Sequence, residues 1–176
     1  LLEWVDVFVG TFDQQFLMLP DVLLVETIKQ HQKCFAIRND SGALMPFFIG
    51  VSQLNSTNKK QLICDNERVV HARLSDALFF YEEDQKKKLL SRLDGFDQVV
   101  YHRSLGSMSQ RIERVSAIMQ LIKPKEKMES GYDDTLYGLA KADLLTLSVY
   151  EFPELQHQVG YHLARSEGLP EWVATV

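Results

Sequence analysis

The spacing of apolar residues divides the chain into a short part with strand patterns and a longer part with helix patterns. In residues 1–10, three valines alternate with Asp6 and Phe8, a period of two that is typical of a strand with one buried face. Pro20 suits the first turn of a helix, because its missing amide costs nothing there, and residues 22–31 continue in helical phase. The chain therefore opens with a strand and a helix.

Two further strand patterns follow, over residues 33–38 and 43–51. The four residues between them, Asn39-Asp40-Ser41-Gly42, favour turns, so a β-hairpin is predicted. The polar stretch 53–60 after the hairpin has the composition of a linker. We therefore expect an α+β chain in which residues 1–58 are the end of an α/β domain and residues 59–176 form a helical domain.

The stretch from Asn66 to Lys88 predicts one long helix, since apolar residues recur there at three- and four-residue spacing with no Gly or Pro. Asp65 or Asn66 can cap its start, and an extension to Leu93, stopped by Asp94-Gly95, stays open. The apolar residues of the predicted stripe are Val70, Leu74, Ala77, Leu78 and Tyr81.

On the same helix, Arg73 and Asp76 lie three residues apart in a second row of side chains, between apolar neighbours. This spacing suits an ion pair. Such pairs usually orient helices, so we interpret Arg73 and Asp76 as a structural pair at the edge of a core, with a ligand contact as the alternative.

Later residues predict further helices with short breaks between them. Met108, Ile112, Val115 and Met119 define an amphipathic helix that Pro124 ends, with Arg111 and Arg114 turned away from its apolar stripe. The remaining predicted elements are a short extended piece at 99–101, a charged loop at 123–134, a helix at 137–150 and a last helix from Pro153 to about Arg165.

Charge is distributed unevenly along the chain. The formal net charge is -5, which argues against a generally basic nucleic-acid binder. Residues 99–128 nevertheless carry a local charge of +4, which leaves -9 for the rest. A protein of this kind can bind a phosphate backbone through its one basic region, although a solvated helix face is an equally good interpretation of any single residue there.

Known catalytic and metal-binding patterns are missing from the sequence. It contains no Gly-rich phosphate loop, HExxH, GxSxG or zinc-type Cys/His spacing. Cys34 and Cys64 stand apart and suit buried thiols in a reducing compartment. No apolar run is long enough to span a bilayer, and the first residue is not Met, so we expect an excised piece of a longer soluble protein.

Four segments occur in order along the chain: HQKCFAIRNDSGALMPFFIGVS (31–52), the NERVV to YEED stretch, LGSMSQRIERV (105–115) and LAKADLLTLSVYEFPELQ (139–156). Together they resemble the beta subunit of bacterial two-subunit glycyl-tRNA synthetase. The resemblance covers nearly the whole chain and is weakest at 123–134 and at 157–161, where the family usually has a glycine and this chain has His157 and Gln158.

This resemblance implies a role in the ATP-dependent joining of glycine to tRNA(Gly) during protein synthesis, in the cytoplasm. It implies an alpha2beta2 tetramer whose alpha subunit uses ATP and Mg, with no membrane contact and no cofactor or catalytic residue in the present chain. The chain would supply tRNA-binding or architectural surface. The candidate tRNA contacts are Arg103, Arg111 and Arg114, extended by Lys86, Lys87 and Lys88.

The helical part of that family resembles HD-type phosphohydrolases, in which an adjacent His-Asp pair holds a divalent ion. The corresponding residues here are Ala142-Asp143, so the Asp is present and the His is missing. Asp143 lies on a predicted apolar face and needs a partner there, for which we expect an arginine. Two alternatives stay open: an HD-type metal-dependent nucleotide phosphohydrolase and a protein-interaction scaffold.

Overall fold

A computed structural model describes residues 6–52, 58–122 and 135–175. The chain forms two compact units, Leu1–Tyr81 and Glu82–Val176. The domain boundary predicted between residues 58 and 59 stays a prediction. Residues of the predicted linker up to 57 and the whole predicted loop at 123–134 lie outside the described residues. No helix of the described part is long and apolar enough to cross a membrane.

The elements confirm a mixed α+β chain. The strands are β1 (Asp6–Thr11), β2 (Phe35–Arg38), β3 (Leu44–Ser52), β4 (Val100–His102) and β5 (Gly106–Ser107). The α-helices are α1 (Asp21–Gln32), α2 (Lys59–Gln85), α3 (Met108–Ile122), α4 (Leu136–Leu139), α5 (Leu147–Glu151), α6 (Gln158–Ser166) and α7 (Glu171–Ala174). Short 3-10 helices cover Gln14–Met18, Leu90–Gln98, Ala142–Leu145 and Pro153–Leu155.

The first unit contains a three-stranded antiparallel sheet in the order β1-β3-β2. The predicted hairpin is confirmed, and Asn39 forms its turn, since Asn39 Oδ1 accepts hydrogen bonds from the amides of Ser41 and Ala43 at 3.1 and 2.9 Å. The predicted helix after Pro20 is also confirmed as α1, whose Leu23 and Leu24 are fully buried.

One face of the sheet is filled by two phenylalanines lying across two glycines. In the strand register Phe8 faces Gly50 and Phe48 faces Gly10, and both rings are buried. A Cβ on either glycine would overlap the opposing ring, so these positions need glycine. Phe8 and Phe48 also contact each other edge to face, with 6.3 Å between ring centroids.

The strand at β1 is confirmed, but its valines lie on the opposite face from Phe8. Val7 and Val9 are each 51% exposed, whereas Phe8 is buried. Period-two alternation identifies the two faces of a strand without deciding which one meets the core. Here Phe8 takes the core side because the glycines of β3 and β1 leave room for aromatic rings.

Helix α2 begins at Lys59, seven residues before the predicted start, and ends at Gln85. The capping residue is Asn58, whose Oδ1 accepts a hydrogen bond from the Gln61 amide at 3.2 Å. The prediction that Asp65 or Asn66 caps the helix is therefore wrong, because both lie inside it. Extension to Leu93 is also wrong, since a 3-10 helix passes through Asp94 and Gly95.

The second unit contains the β4–β5 hairpin and the helices α3 to α7. Strand β4 confirms the predicted extended piece, and α3 has the predicted start and ends at Ile122. The buried residues of this unit include Leu89, Phe96, Val149, Phe152, Leu155 and Leu163.

The predicted helix at 137–150 is wrong, because the chain breaks there twice. Thr146 has an extended backbone, ψ 152°, and caps α5 by accepting a hydrogen bond from the Val149 amide. The chain ahead of Thr146 is the short α4 and a 3-10 turn. Polar groups at the start of α5 thus replace the continuous hydrogen bonding of a single helix.

The predicted last helix is also divided, at His157. A 3-10 turn at Pro153–Leu155 ends before α6 begins at Gln158. His157 has φ 70°, a backbone conformation that glycine adopts without strain and other residues rarely adopt. A glycine at this position would therefore fit the backbone more easily than histidine does.

Candidate nucleic-acid interface and buried carboxylates

Two of the three candidate arginines connect α3 to the β4–β5 hairpin. The Arg111 guanidinium lies over the Tyr101 ring, with 4.2 Å between Cζ and the ring centroid. Arg114 Nη2 donates a hydrogen bond to the Leu105 carbonyl at 3.0 Å. Because a guanidinium has five N–H donors, Arg114 keeps others available for a ligand.

The remaining candidates lie on other elements of the second unit. Arg103 is exposed in the turn between β4 and β5. Lys86, Lys87 and Lys88 are exposed just after α2 ends, and Lys86 pairs with Glu83. The structure thus groups Arg111 and Arg114 with the hairpin that carries Arg103, while the three lysines belong to a separate segment.

Arg73 and Asp76 lie on an exposed side of α2. Arg73 Nη1 and Asp76 Oδ2 are 3.8 Å apart, and the two side chains are 47% and 58% exposed. The predicted pairing is present at this distance; Val69 beside it is exposed and Phe80 is half-buried, so its structural role stays a prediction. An exposed pair at this distance contributes little to stability.

Within the described residues, Asp84 and Arg92 form a buried ion pair that was not among the predicted pairs. Asp84 is 1% exposed and Arg92 6%. Asp84 Oδ1 and Oδ2 accept hydrogen bonds from the amides of Leu147 and Ser148, each at 2.9 Å. Arg92 Nη2 lies 3.4 Å from Asp84 Oδ1.

Arg92 also donates to the Leu145 and Asp84 carbonyls, at 2.9 and 2.6 Å. The pair therefore holds the end of α2 against the start of α5. A signal for Asp84 existed in the sequence: it lies three residues after Tyr81 and so continues the buried stripe of α2. A carboxylate in an apolar stripe needs a buried partner.

Asp143 is buried, and backbone amides bond its carboxylate, while its Oδ1 has no hydrogen-bond partner within the described part of the chain. Asp143 Oδ2 accepts a hydrogen bond from the His157 amide, just before α6 begins. The expected arginine partner is therefore wrong. Burial raises the pKa of the Asp143 carboxyl, and the backbone hydrogen bonds from His157 and Gly160 oppose that rise. A Cβ on Gly160 would lie 3.1 Å from Asp143 Oδ2, so α6 approaches the carboxylate closely.

The surroundings of Asp143 do not fit a divalent ion. A hard cation needs several oxygen or imidazole ligands that converge. Asp143 Oδ2 is bonded to the His157 amide, its buried Oδ1 has no hydrogen-bond partner among the described residues, and the nearby His157 Nε2 accepts a hydrogen bond from Lys141 Nζ at 2.8 Å. Within the described ranges, no three His, Cys, Asp or Glu side chains are grouped so as to hold a metal.

A family model described as the glycyl-tRNA synthetase beta subunit matches residues 1–176. The chain belongs to this family. The resemblance found in the sequence segments is thereby confirmed over the full length of the chain.

Curated relatives named glycine–tRNA ligase beta subunit agree with this family. The protein from Janthinobacterium sp. is 45% identical over 174 residues, that from Chromohalobacter salexigens 40%, and that from Neisseria meningitidis serogroup C 42%. Each alignment covers 99% of this chain and 25% of the relative. The chain thus spans a quarter of the length of these glycyl-tRNA synthetase beta subunits.

Proposed function

We propose that this chain is a segment of a glycyl-tRNA synthetase beta subunit that contributes to the ATP-dependent attachment of glycine to tRNA(Gly). The observation that carries the proposal is the family match, which extends over residues 1–176. Relatives that share 40–45% of the residues bear the name of this ligase subunit. The whole enzyme works in the cytoplasm as an alpha2beta2 tetramer.

In this proposal the chain has no catalytic residue of its own. ATP and Mg²⁺ act at the alpha subunit, where glycine is activated. The sequence has no Gly-rich phosphate loop, which supports the assignment of ATP binding to the alpha subunit. In this proposal residues 59–176 form an HD-like helical domain whose Asp143 serves to fix the start of α6. Its hydrogen bond to the His157 amide supports that structural role over metal-dependent hydrolysis.

The tRNA-binding surface consists of Arg103, Arg111 and Arg114. Arg111 and Arg114 lie three residues apart on α3, so their guanidinium groups can contact neighbouring phosphates. The β4–β5 hairpin holds both side chains, which lowers the entropy lost when they bind a ligand. Such contacts position the tRNA and do not read its sequence. Lys86, Lys87 and Lys88, on their separate segment just after α2, are further candidate tRNA contacts.

The test is a double substitution, Arg111→Gln with Arg114→Gln, in the assembled alpha–beta enzyme. tRNA binding should weaken, and the slope of log Kd against log salt should flatten by about one for each phosphate that is no longer bound. Arg73→Gln is the matched control, since it removes an exposed arginine from α2. Glycine activation should stay unchanged in all variants.

Thermal melting shows whether the double variant keeps its hairpin, because both arginines also hold β4–β5. A normal melting temperature with weaker tRNA binding supports the proposal. Wild-type tRNA affinity and salt slope in a folded double variant would contradict it. A scaffold role would instead appear in native mass spectra as loss of the alpha subunit with tRNA binding retained.

A further inference from the structure

The face of the β1-β3-β2 sheet opposite Phe8 is apolar and exposed. Val7 and Val9 are each 51% exposed, Phe35 62% and Val51 46%. The strand register places Val7 opposite Val51, and both Val9 and Phe35 opposite Ile49. Residues directly opposite in paired strands share a face, so these five side chains form one surface, the apolar sheet face.

This surface differs from an ordinary solvent-facing sheet. An antiparallel sheet with one face in water normally has polar residues on that face, whereas strands that are apolar on both sides are covered on both sides. The other face already carries the buried Phe8 and Phe48. Single exposed apolar residues need no explanation, but a contiguous patch of roughly a few hundred Å² marks an interaction site.

We propose that the apolar sheet face is covered by another segment of the same beta-subunit polypeptide, from outside these 176 residues. This inference rests on the proposal that the chain is part of a full beta subunit. The curated relatives have about three quarters of their length outside the matched region, which is ample chain to supply the cover. The covering segment presents its own apolar side chains as a strand layer or an amphipathic helix.

The small number of side chains on the surface favours a covalently attached occupant over a separate molecule. A stable complex between separate chains buries about 800 Å² on each partner, contributed by roughly 20–30 residues, whereas the apolar sheet face has five apolar side chains. A segment of the same polypeptide needs less area, because its effective concentration is set by the linker and reaches the millimolar range, roughly, for short linkers. The five apolar side chains also offer no cation for a phosphate backbone.

Thiol accessibility in the full-length beta subunit tests whether the face is covered. Val9→Cys is compared with Asp40→Cys, a control in the exposed hairpin turn, both in a Cys64→Ser background because Cys64 is exposed. Labelling is followed by mass spectrometry of the peptides that carry each site. We expect position 9 to react on the order of 10²-fold more slowly than position 40 without the alpha subunit, since labelling must await local opening.

The rate at position 9 should also stay constant over about a tenfold range of protein concentration, which excludes a second copy. If Val9→Cys fails to fold, Val51→Cys provides the same comparison on the neighbouring strand. Labelling as fast as the control would overturn the proposal. So would slow labelling that requires the alpha subunit or high protein concentration.

Photo-crosslinking identifies what covers the face. Phe35 is replaced by p-benzoylphenylalanine, which keeps an aromatic ring at that position, and the crosslinked peptide is sequenced. A crosslink to beta-subunit sequence outside the 176 residues is expected. A crosslink only to the alpha subunit, or only to a second beta subunit, would refute the proposal. tRNA affinity of the same preparation is measured separately, so loss of tRNA binding does not affect this result.

Discussion

Replacing Asp84 with alanine should destabilise the second unit more than any surface substitution on α2. The substitution removes the carboxylate that accepts hydrogen bonds from the Leu147 and Ser148 amides at 2.9 Å. It also leaves Arg92, which is 6% exposed, without its charge partner. Both effects act at the start of α5.

The magnitude follows from these contacts. Each hydrogen bond to a charged acceptor contributes about 1.5–3 kcal/mol, and breaking a buried ion pair costs about 3–5 kcal/mol. These costs overlap, and Arg92 keeps hydrogen bonds to the Leu145 and Asp84 carbonyls. We therefore expect Asp84→Ala to lower the free energy of unfolding of this unit by about 3 kcal/mol.

Hydrogen exchange provides the assay, because it reports on one unit at a time. Amides from Leu147 to Phe152 should lose protection in Asp84→Ala, while Asp76→Ala, an exposed acid on the same helix, should leave them unchanged. Adding Arg92→Met to Asp84→Ala should recover part of the loss, since no unpaired charge then stays buried. A loss below about 1 kcal/mol, or one equal to that of Asp76→Ala, would refute the reasoning.

Three further predictions concern single sites. Burial raises the pKa of Asp143 above its ordinary value of 3.8, so the wild type should lose stability relative to Asp143→Asn as pH rises above about 4. Urea titrations at several pH values measure this, and a constant difference in the free energy of unfolding between the two proteins would contradict it. Gly50→Ala should cost about 1–3 kcal/mol, because its Cβ overlaps the buried Phe8 ring; a melting temperature equal to wild type would argue against the Phe–Gly packing. Arg73→Ala should change the free energy of unfolding by less than about 1 kcal/mol, which a denaturant titration measures; a larger change would mean that the Asp76 pair matters more than its exposure indicates.

Local patterns predicted those elements whose start and stop signals lie within a few residues. The hairpin turn at Asn39 is closed by hydrogen bonds to Ser41 and Ala43, and α3 has the predicted apolar spacing. Family membership was likewise available from ordered sequence segments. Among the candidate contacts, spacing correctly placed Arg111 and Arg114 on α3, but their contacts with Tyr101 and Leu105 became visible only in the structure.

Contacts with other elements decided the helix boundaries that local patterns did not predict. The break before α5 depends on Asp84, which lies 63 residues before Leu147 and occupies the amides that a continuous helix would have bonded. The start of α6 depends in the same way on Asp143, whose carboxylate accepts from the His157 amide. The residues next to Leu147 and His157 do not encode these partners, because the carboxylate that accepts from the first amides of each helix belongs to another element.

The sequence by itself determined the family, the α+β composition and the alternation of side chains along β1. Tertiary structure alone decided which side of that strand is buried, because two phenylalanine rings need the space above two glycines of the paired strands. It also decided which charges are structural: the pair with suitable local spacing, Arg73 and Asp76, is exposed, while the buried pair joins residues whose proximity depends on the fold. Spacing along a helix fixes which residues can meet, but burial depends on what packs against them.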